Sequence, residues 1–111
     1  MMQPKFNLWI EKDGVVVLSA WRVALLETIE ATGSISAAAE KLKIPYRRAW
    51  EKVQEIEAGR GVKVLESAVG GTGGGGAHLT PAGRRAIERF HQFAAGFDEE
   101  VAQRYRKAFG K

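Results

Sequence analysis

Thr32-Gly33-Ser34-Ile35-Ser36-Ala37-Ala38-Ala39-Glu40-Lys41-Leu42-Lys43-Ile44-Pro45-Tyr46-Arg47-Arg48-Ala49-Trp50 is the stretch on which the fold turns. It reads as a short alanine-rich helix, a sharp turn, and a second helix opening on an aromatic and two arginines. That pattern is a helix-turn-helix, whose second helix enters the DNA major groove. Ser36 is placed to cap a first helix from Ala37 to Leu42, packed through Ala38, Ala39 and Leu42. Consecutive alanines let two helices approach closely where they cross. The next helix spans 45–58, with Pro45 in its first turn, where the missing N–H has no intrahelical partner anyway. Ala49, Val53 and Ile56 then centre the buried face. At about 100° per residue, Arg47, Glu51 and Gln54 lie opposite, with Tyr46 and Trp50 on one flank and Arg48 on the other.

Downstream, Gly59-Arg60-Gly61 closes that helix, and 62–80 reads as a two-stranded wing. Val62 to Val69 is one strand, Ala77 to Leu79 its return, and Gly70 to Gly76 the glycine-rich tip. Thr80-Pro81 supplies an N-cap and a proline at the first helical position. The helix it opens, 81–109, is about 29 residues or roughly 43 Å long, more than a small domain covers alone. Ile87, Phe90, Ala94, Phe97, Val101 and Ala108 keep near a 3.5-residue repeat interrupted by Arg104; Phe93, Tyr105 and Phe109 add apolar surface. The expected partner is a second copy, with Phe90, Ala94, Phe97, Val101, Tyr105 and Phe109 at the contact. Gly96 costs that helix about 1 kcal/mol relative to Ala and is the place expected for a kink.

Upstream, 4–18 reads as a β-hairpin. Phe6, Leu8 and Ile10 alternate with Asn7, Trp9 and Glu11, Asp13-Gly14 is a strong turn signal, and Val15 to Leu18 returns. Ser19 caps a helix over 19–32, with Trp21, Ala24, Leu25, Thr28 and Ile29 on its buried stripe and Gly33 ending it. The chain thus reads as a single domain, mostly α with small β: a winged helix-turn-helix with an N-terminal β-hairpin, a two-stranded wing and a long C-terminal dimerisation helix.

Composition narrows the function. The 111 residues carry 17 Lys and Arg against 13 Asp and Glu, a net charge of +4, which favours a polyanionic partner without identifying it. With no cysteine there is neither a disulfide nor a thiolate metal site. No signal peptide or membrane-length apolar run is evident, so the expected location is the cytoplasm. Gly71 to Gly76 formally contains G-x-G-x-x-G, but its last glycine does not open a helix, and neither an acidic residue at the required distance nor a P-loop lysine follows. An enzyme is therefore not expected. His78 and His91 have no companion ligands, so neither metal nor cofactor is expected.

Three motifs in register carry a family resemblance. Thr32-Gly33-Ser34-Ile35-Ser36, Tyr46-Arg47-Arg48-Ala49-Trp50, and Gly70 to Ala77 followed by Leu79-Thr80 resemble the DNA-binding domain of ModE-type molybdate-responsive regulators, near the LysR-type winged helices. The resemblance covers nearly the whole chain. It implies a dimeric, sequence-specific regulator binding double-stranded DNA, with Tyr46, Arg47, Arg48 and Trp50 on or beside the recognition helix. Glu51 and Gln54 share the exposed face of that helix. Ser34 and Ser36 are candidates for phosphate contact, and Thr72, Gly73, Gly74 and His78 for contact from the wing. Two residues depart from the pattern: Lys43 where glycine is common, and Pro45 where a serine cap is common. The resemblance is to a stand-alone N-terminal domain, so neither molybdate nor tungstate is expected to bind this chain directly. The alternative reading is a winged-helix protein-interaction module that dimerises without binding DNA specifically.

Overall fold

The computed structural model describes residues 1–68 and 76–110; residues 69–75 and 111 lie outside the description. Local signals start and stop most of its elements. Asp13 and Gly14 both take positive φ, 53° and 82°, the pairing a two-residue hairpin turn requires. They join β1 (Trp9–Lys12) to β2 (Val15–Ser19). The register shifts between Ile10 and Glu11, so one residue of β2 is bulged. The strand is shorter than the alternation of Lys5 to Glu11 predicts, and Phe6 and Ile10 are exposed rather than inward.

Ser19 caps α1 (Ala20–Thr32), its Oγ accepting the Arg22 N–H at 3.1 Å, and Gly33 ends the helix in the left-handed region. The buried stripe differs from the predicted one. Trp21 and Ala24 are exposed, and Arg22, Val23, Leu25, Leu26 and Ile29 face inward. Arg22 takes the inward place because its Nη2 donates to Glu55 Oε1 at 2.6 Å, a pairing that sequence periodicity does not reveal.

In α2 (Ile35–Leu42) the cap is Ser34 rather than Ser36: Ser34 Oγ accepts the Ala37 N–H at 2.9 Å. This start brings Ile35 against the core and leaves Ser36 exposed, with Ala38 and Ala39 buried. Pro45 is the N-cap of α3 (Tyr46–Arg60), just outside the first turn, and its carbonyl accepts the Arg48 and Ala49 N–H groups. Ala49, Val53 and Ile56 form the buried face as predicted.

The wing pairs β3 (Leu65–Ala68) with β4 (Gly76–Leu79), Leu65 opposite Leu79 and Glu66 opposite His78. Thr80 caps α4 (Pro81–Ala94) and also donates to the Lys63 carbonyl at 2.7 Å, tying the helix to the entry of the wing. A side chain at Gly83 would collide with the Val64 carbonyl, so only glycine lets α4 start this close. The predicted continuous helix 81–109 is divided. Ala95 has ψ of 129°, Gly96 has φ of 85°, and α5 (Phe97–Phe109) begins afresh. Gly96 supplies the left-handed residue, and Asp98, Glu99 and Glu100 favour a new helix N-terminus.

One core joins β2, α1, α2, α3, β4 and α4; its large buried members include Leu25, Leu26, Ile29, Val53, Ile56, Val64 and Phe90. Helix α5 buries none of its residues in that core. Among the described residues no helix is long and apolar enough to cross a membrane.

Candidate nucleic-acid interface

The turn between α2 and α3 sets the direction of α3. Lys43 adopts φ 59° and ψ 44°, the Lys43 N–H bonds to the Glu40 carbonyl at 3.1 Å, and the Ile44 N–H reaches back to Ala39 at 3.0 Å. This is a Schellman closure, normally built on glycine. Lysine keeps it at a cost of about 1–2 kcal/mol. The departure from the common glycine therefore leaves the turn geometry intact and adds a cation beside α3.

Tyr46, Arg47, Arg48, Trp50 and Glu51 are exposed on α3, and Gln54 is half-buried. Among the described residues neither Arg47 nor Arg48 forms an ion pair, nor do Lys41 and Lys43 on the preceding helix and turn. Of the seven other arginines, Arg22 is paired with Glu55, Arg84 with Glu30, Arg104 with Glu100 and Arg106 with Glu99, while Arg60, Arg85 and Arg89 form no ion pair among the described residues.

A groove of about 300 Å³ runs between α2–α3 and the wing. Ser36, Tyr46, Trp50 and Gln54 line it from the helices, and Leu65, Glu66 and Ala77 from the strands. On its other side Tyr46 and Trp50, with Arg47, border a second depression. The structure thus brings Ser36, Tyr46, Arg47, Trp50 and Gln54 together. Arg48 lies away from both depressions, and Glu51 borders neither. Ser34 is beside the cluster, but its hydroxyl already accepts the capping hydrogen bond. His78 is exposed on β4, its Nε2 3.9 Å from Glu66 Oε1, outside the groove. Thr72, Gly73 and Gly74 lie outside the described residues.

Two carboxylates that the sequence reading does not single out hold the wing to the helices. Glu57 Oε2 accepts the N–H groups of Val64 at 2.9 Å and Leu65 at 3.3 Å, and Lys63 Nζ lies 3.7 Å from its other oxygen. Glu30 accepts the Leu79 N–H at 2.9 Å and faces Arg84 at 3.4 Å. The Leu79 hydrogen bond first, and the Arg84 guanidinium after it, hold the Glu30 carboxyl below its usual range. The Ala77 N–H also bonds to the Gly33 carbonyl at 2.8 Å. Both strands of the wing are therefore anchored to α1 and α3. No short motif marks these contacts, because each spans a turn or a long sequence separation.

Of the expected dimer residues, Phe90 is 4% exposed and belongs to the chain's own core. Ala94 packs against that core. Phe97, Val101 and Tyr105 are half-buried and Phe109 is 70% exposed. Phe97 lies 5.5 Å from Phe93 and 6.4 Å from Phe6, centroid to centroid, so part of its cover comes from the N-terminal segment.

The profile of the bacterial regulatory helix-turn-helix proteins of the lysR family matches residues 22–84, from α1 through the wing into α4. The chain is 46% identical over 79 residues to the molybdenum-pterin-binding protein MopB of Rhodobacter capsulatus, covering 71% of this chain and 29% of that protein. It is 42% identical over 93 residues to the transcriptional regulator ModE of Yersinia pestis, covering 84% and 35%. With the DNA-binding transcriptional dual regulator ModE of Escherichia coli K12 it shares 33% identity over 108 residues, 97% of this chain and 38% of that one. The chain spans roughly a third of the length of these relatives. A helix-turn-helix with a pinned wing and a matching profile across both makes this chain a ModE-like member of the lysR family of bacterial regulatory helix-turn-helix proteins.

Proposed function

We propose that the chain binds operator DNA as a homodimer in the cytoplasm, with α3, the predicted helix 45–58, in the major groove. The observation that carries the reading is the exposed face bearing Arg47 and Arg48, neither held by a carboxylate among the described residues. Arginine's planar fork binds guanine O6 and N7, or a phosphate, in bidentate fashion. Lys41 and Lys43 extend the same positive face toward the backbone, and Ser36 adds a hydroxyl at the groove. These cations lie along an open helical face, which suits an extended polyanion better than a single tetrahedral oxyanion, so the regulator's response to molybdate or tungstate is not assigned to this chain.

The dimer reading rests on α5. It buries nothing in the core, and its Phe97, Val101, Tyr105 and Phe109 leave apolar surface to cover. Its first turn carries Asp98 and its last turn Lys107, neither in an ion pair among the described residues, whereas Glu99 and Glu100 are already paired with Arg106 and Arg104. An antiparallel second copy sets these ends against each other. Phe90 is not part of this contact.

Duplex binding measured across salt concentration tests the function. Binding by phosphate neutralisation weakens steeply between about 50 and 200 mM salt. Arg47→Ala and Arg48→Ala are expected to weaken it with little change in thermal midpoint. Wild-type affinity in both variants would place the reading surface elsewhere, and salt-insensitive binding to another protein would favour the interaction module. A monomeric mass by sedimentation at micromolar concentration would remove the dimer.

A further inference from the structure

We propose that Tyr46 and Trp50 form a receptor for the 5-methyl group of thymine, so that α3 reads T·A pairs by apolar contact beside Arg47. The inference rests on the DNA reading above and names what that surface recognises. Tyr46 and Trp50 stand one helical turn apart on α3 and are 53% and 45% exposed. With Arg47 they wall a shallow depression of about 360 Å³. Among the described residues neither ring has an aromatic partner, which is also true of Trp9, Trp21 and the buried Phe90, but these two stand together on the helix that carries Arg47 and Arg48. Two large apolar faces are therefore left open on a helix whose exposed surface is otherwise polar.

The chemistry of the major groove limits what covers them. Base edges there present hydrogen-bond donors and acceptors and one apolar group, the thymine methyl. A hydrogen-bonding edge pressed onto these rings would lose its water without gaining a partner, an unfavourable exchange. A methyl loses nothing by leaving water. Arg47, on the rim of the same depression, supplies the polar contact to an adjacent guanine or phosphate. The expected site therefore places a thymine next to the Arg47 contact in each half.

The test uses the whole chain and a duplex that the chain itself selects from a random pool. Each thymine in that duplex is replaced in turn by deoxyuridine, which removes the methyl and leaves pairing unchanged. Loss of one buried methyl corresponds to about fourfold weaker binding. The expected result is that loss at one symmetric pair of thymines and no effect at the others. Trp50→Ala should bind thymine and uracil duplexes equally while keeping the wild-type salt dependence. If uracil is accepted at wild-type affinity everywhere in a duplex bound with steep salt dependence, the DNA reading stands and the methyl receptor is overturned. The receptor is also overturned if Trp50→Ala retains the uracil penalty, because the methyl is then felt elsewhere. Should the variant not fold, the uracil scan on the wild-type chain decides alone. Failure to select any duplex removes the DNA reading itself, and with it the receptor.

Discussion

Truncating Glu55 should destabilise this protein more than replacing Arg22, although Arg22 is the more buried of the pair. The Arg22 side chain is 10% exposed and Glu55 41%, and they meet at 2.6 Å. Arg22 Nη1 is buried with no hydrogen-bond partner among the described residues. In Glu55→Ala the guanidinium keeps its charge and loses its only carboxylate among the described residues. Stranding a fully buried charge costs about 3–5 kcal/mol; the solvent around Glu55 reduces this to about 2 kcal/mol. In Arg22→Met an aliphatic stem of similar length stays in place and the buried charge disappears. Glu55 is left near water with Lys52 Nζ at 3.6 Å, so the change should stay within about 1 kcal/mol. Urea unfolding midpoints of wild type, both single variants and the double variant measure this. For a domain near this size each kcal/mol moves the thermal midpoint by roughly 4–8 °C. The double variant should recover most of the Glu55→Ala loss. If Arg22→Met is the more damaging change, or if the two losses simply add, the pair does not act as a stranded-charge couple and the reasoning fails.

Gly83→Ala should cost about 1–3 kcal/mol despite alanine's better helix propensity, because its Cβ meets the Val64 carbonyl; a stabilised variant by urea unfolding would contradict this. Lys43→Gly should raise stability by about 1 kcal/mol by relieving the left-handed lysine and should also lower duplex affinity, so a variant improved or impaired in both respects would separate the turn from the positive face. Glu30 has its carboxyl pKa depressed by the Leu79 N–H and Arg84, so its contribution is present above the ordinary carboxylate range and is lost as pH falls through the depressed value. Thermal midpoints of wild type and Glu30→Gln should accordingly differ at neutral pH and converge in acid, and a gap independent of pH would show that the wing anchor does not depend on the charge.

Elements that depend on their own few residues were legible in the sequence. Asp13-Gly14, Ser19, Gly33 and Thr80-Pro81 act within one turn, and the structure uses each as read. Ser34 and Ser36 both satisfy the local rule for a cap, and packing chooses between them by placing Ile35 against the core. The α1 stripe departs from its local periodicity because the inward position is held by an arginine, justified by Glu55, 33 residues away. The inward place of Phe90 has the same kind of origin. Its spacing suits an exposed seam as well as a core face, and only the docking of α4 beside α1 assigns it inward. The break at Gly96 combined two visible signals, a glycine and the acidic run Asp98 to Glu100, that together outweigh the continuity of the apolar repeat. At the candidate site the exposed face of α3 followed from 3.6-residue periodicity. Glu57 and Glu30 did not, since a carboxylate bonded to backbone N–H groups leaves no pattern in composition or spacing.

The charge of the chain acquires meaning only once pairing is known. A net +4 on 111 residues is too small to argue for a polyanion by itself. Yet Arg22, Arg84, Arg104 and Arg106 all sit against carboxylates, whereas Lys41, Lys43, Arg47 and Arg48 fall within eight successive positions of the helix-turn-helix. An ion pair already formed offers a phosphate little, because the carboxylate must first be displaced. Arg60, Arg85 and Arg89 also form no ion pair among the described residues, but they are scattered from the end of α3 along α4, whereas the four of the helix-turn-helix stand close together in the chain and their fields add. Lys43 is telling in this respect. A glycine would close the α2–α3 turn without strain, and the chain instead carries a lysine there in the left-handed region. The strain sits where the positive face continues from α2 into α3, which is where a functional surface, rather than stability, has a use for it.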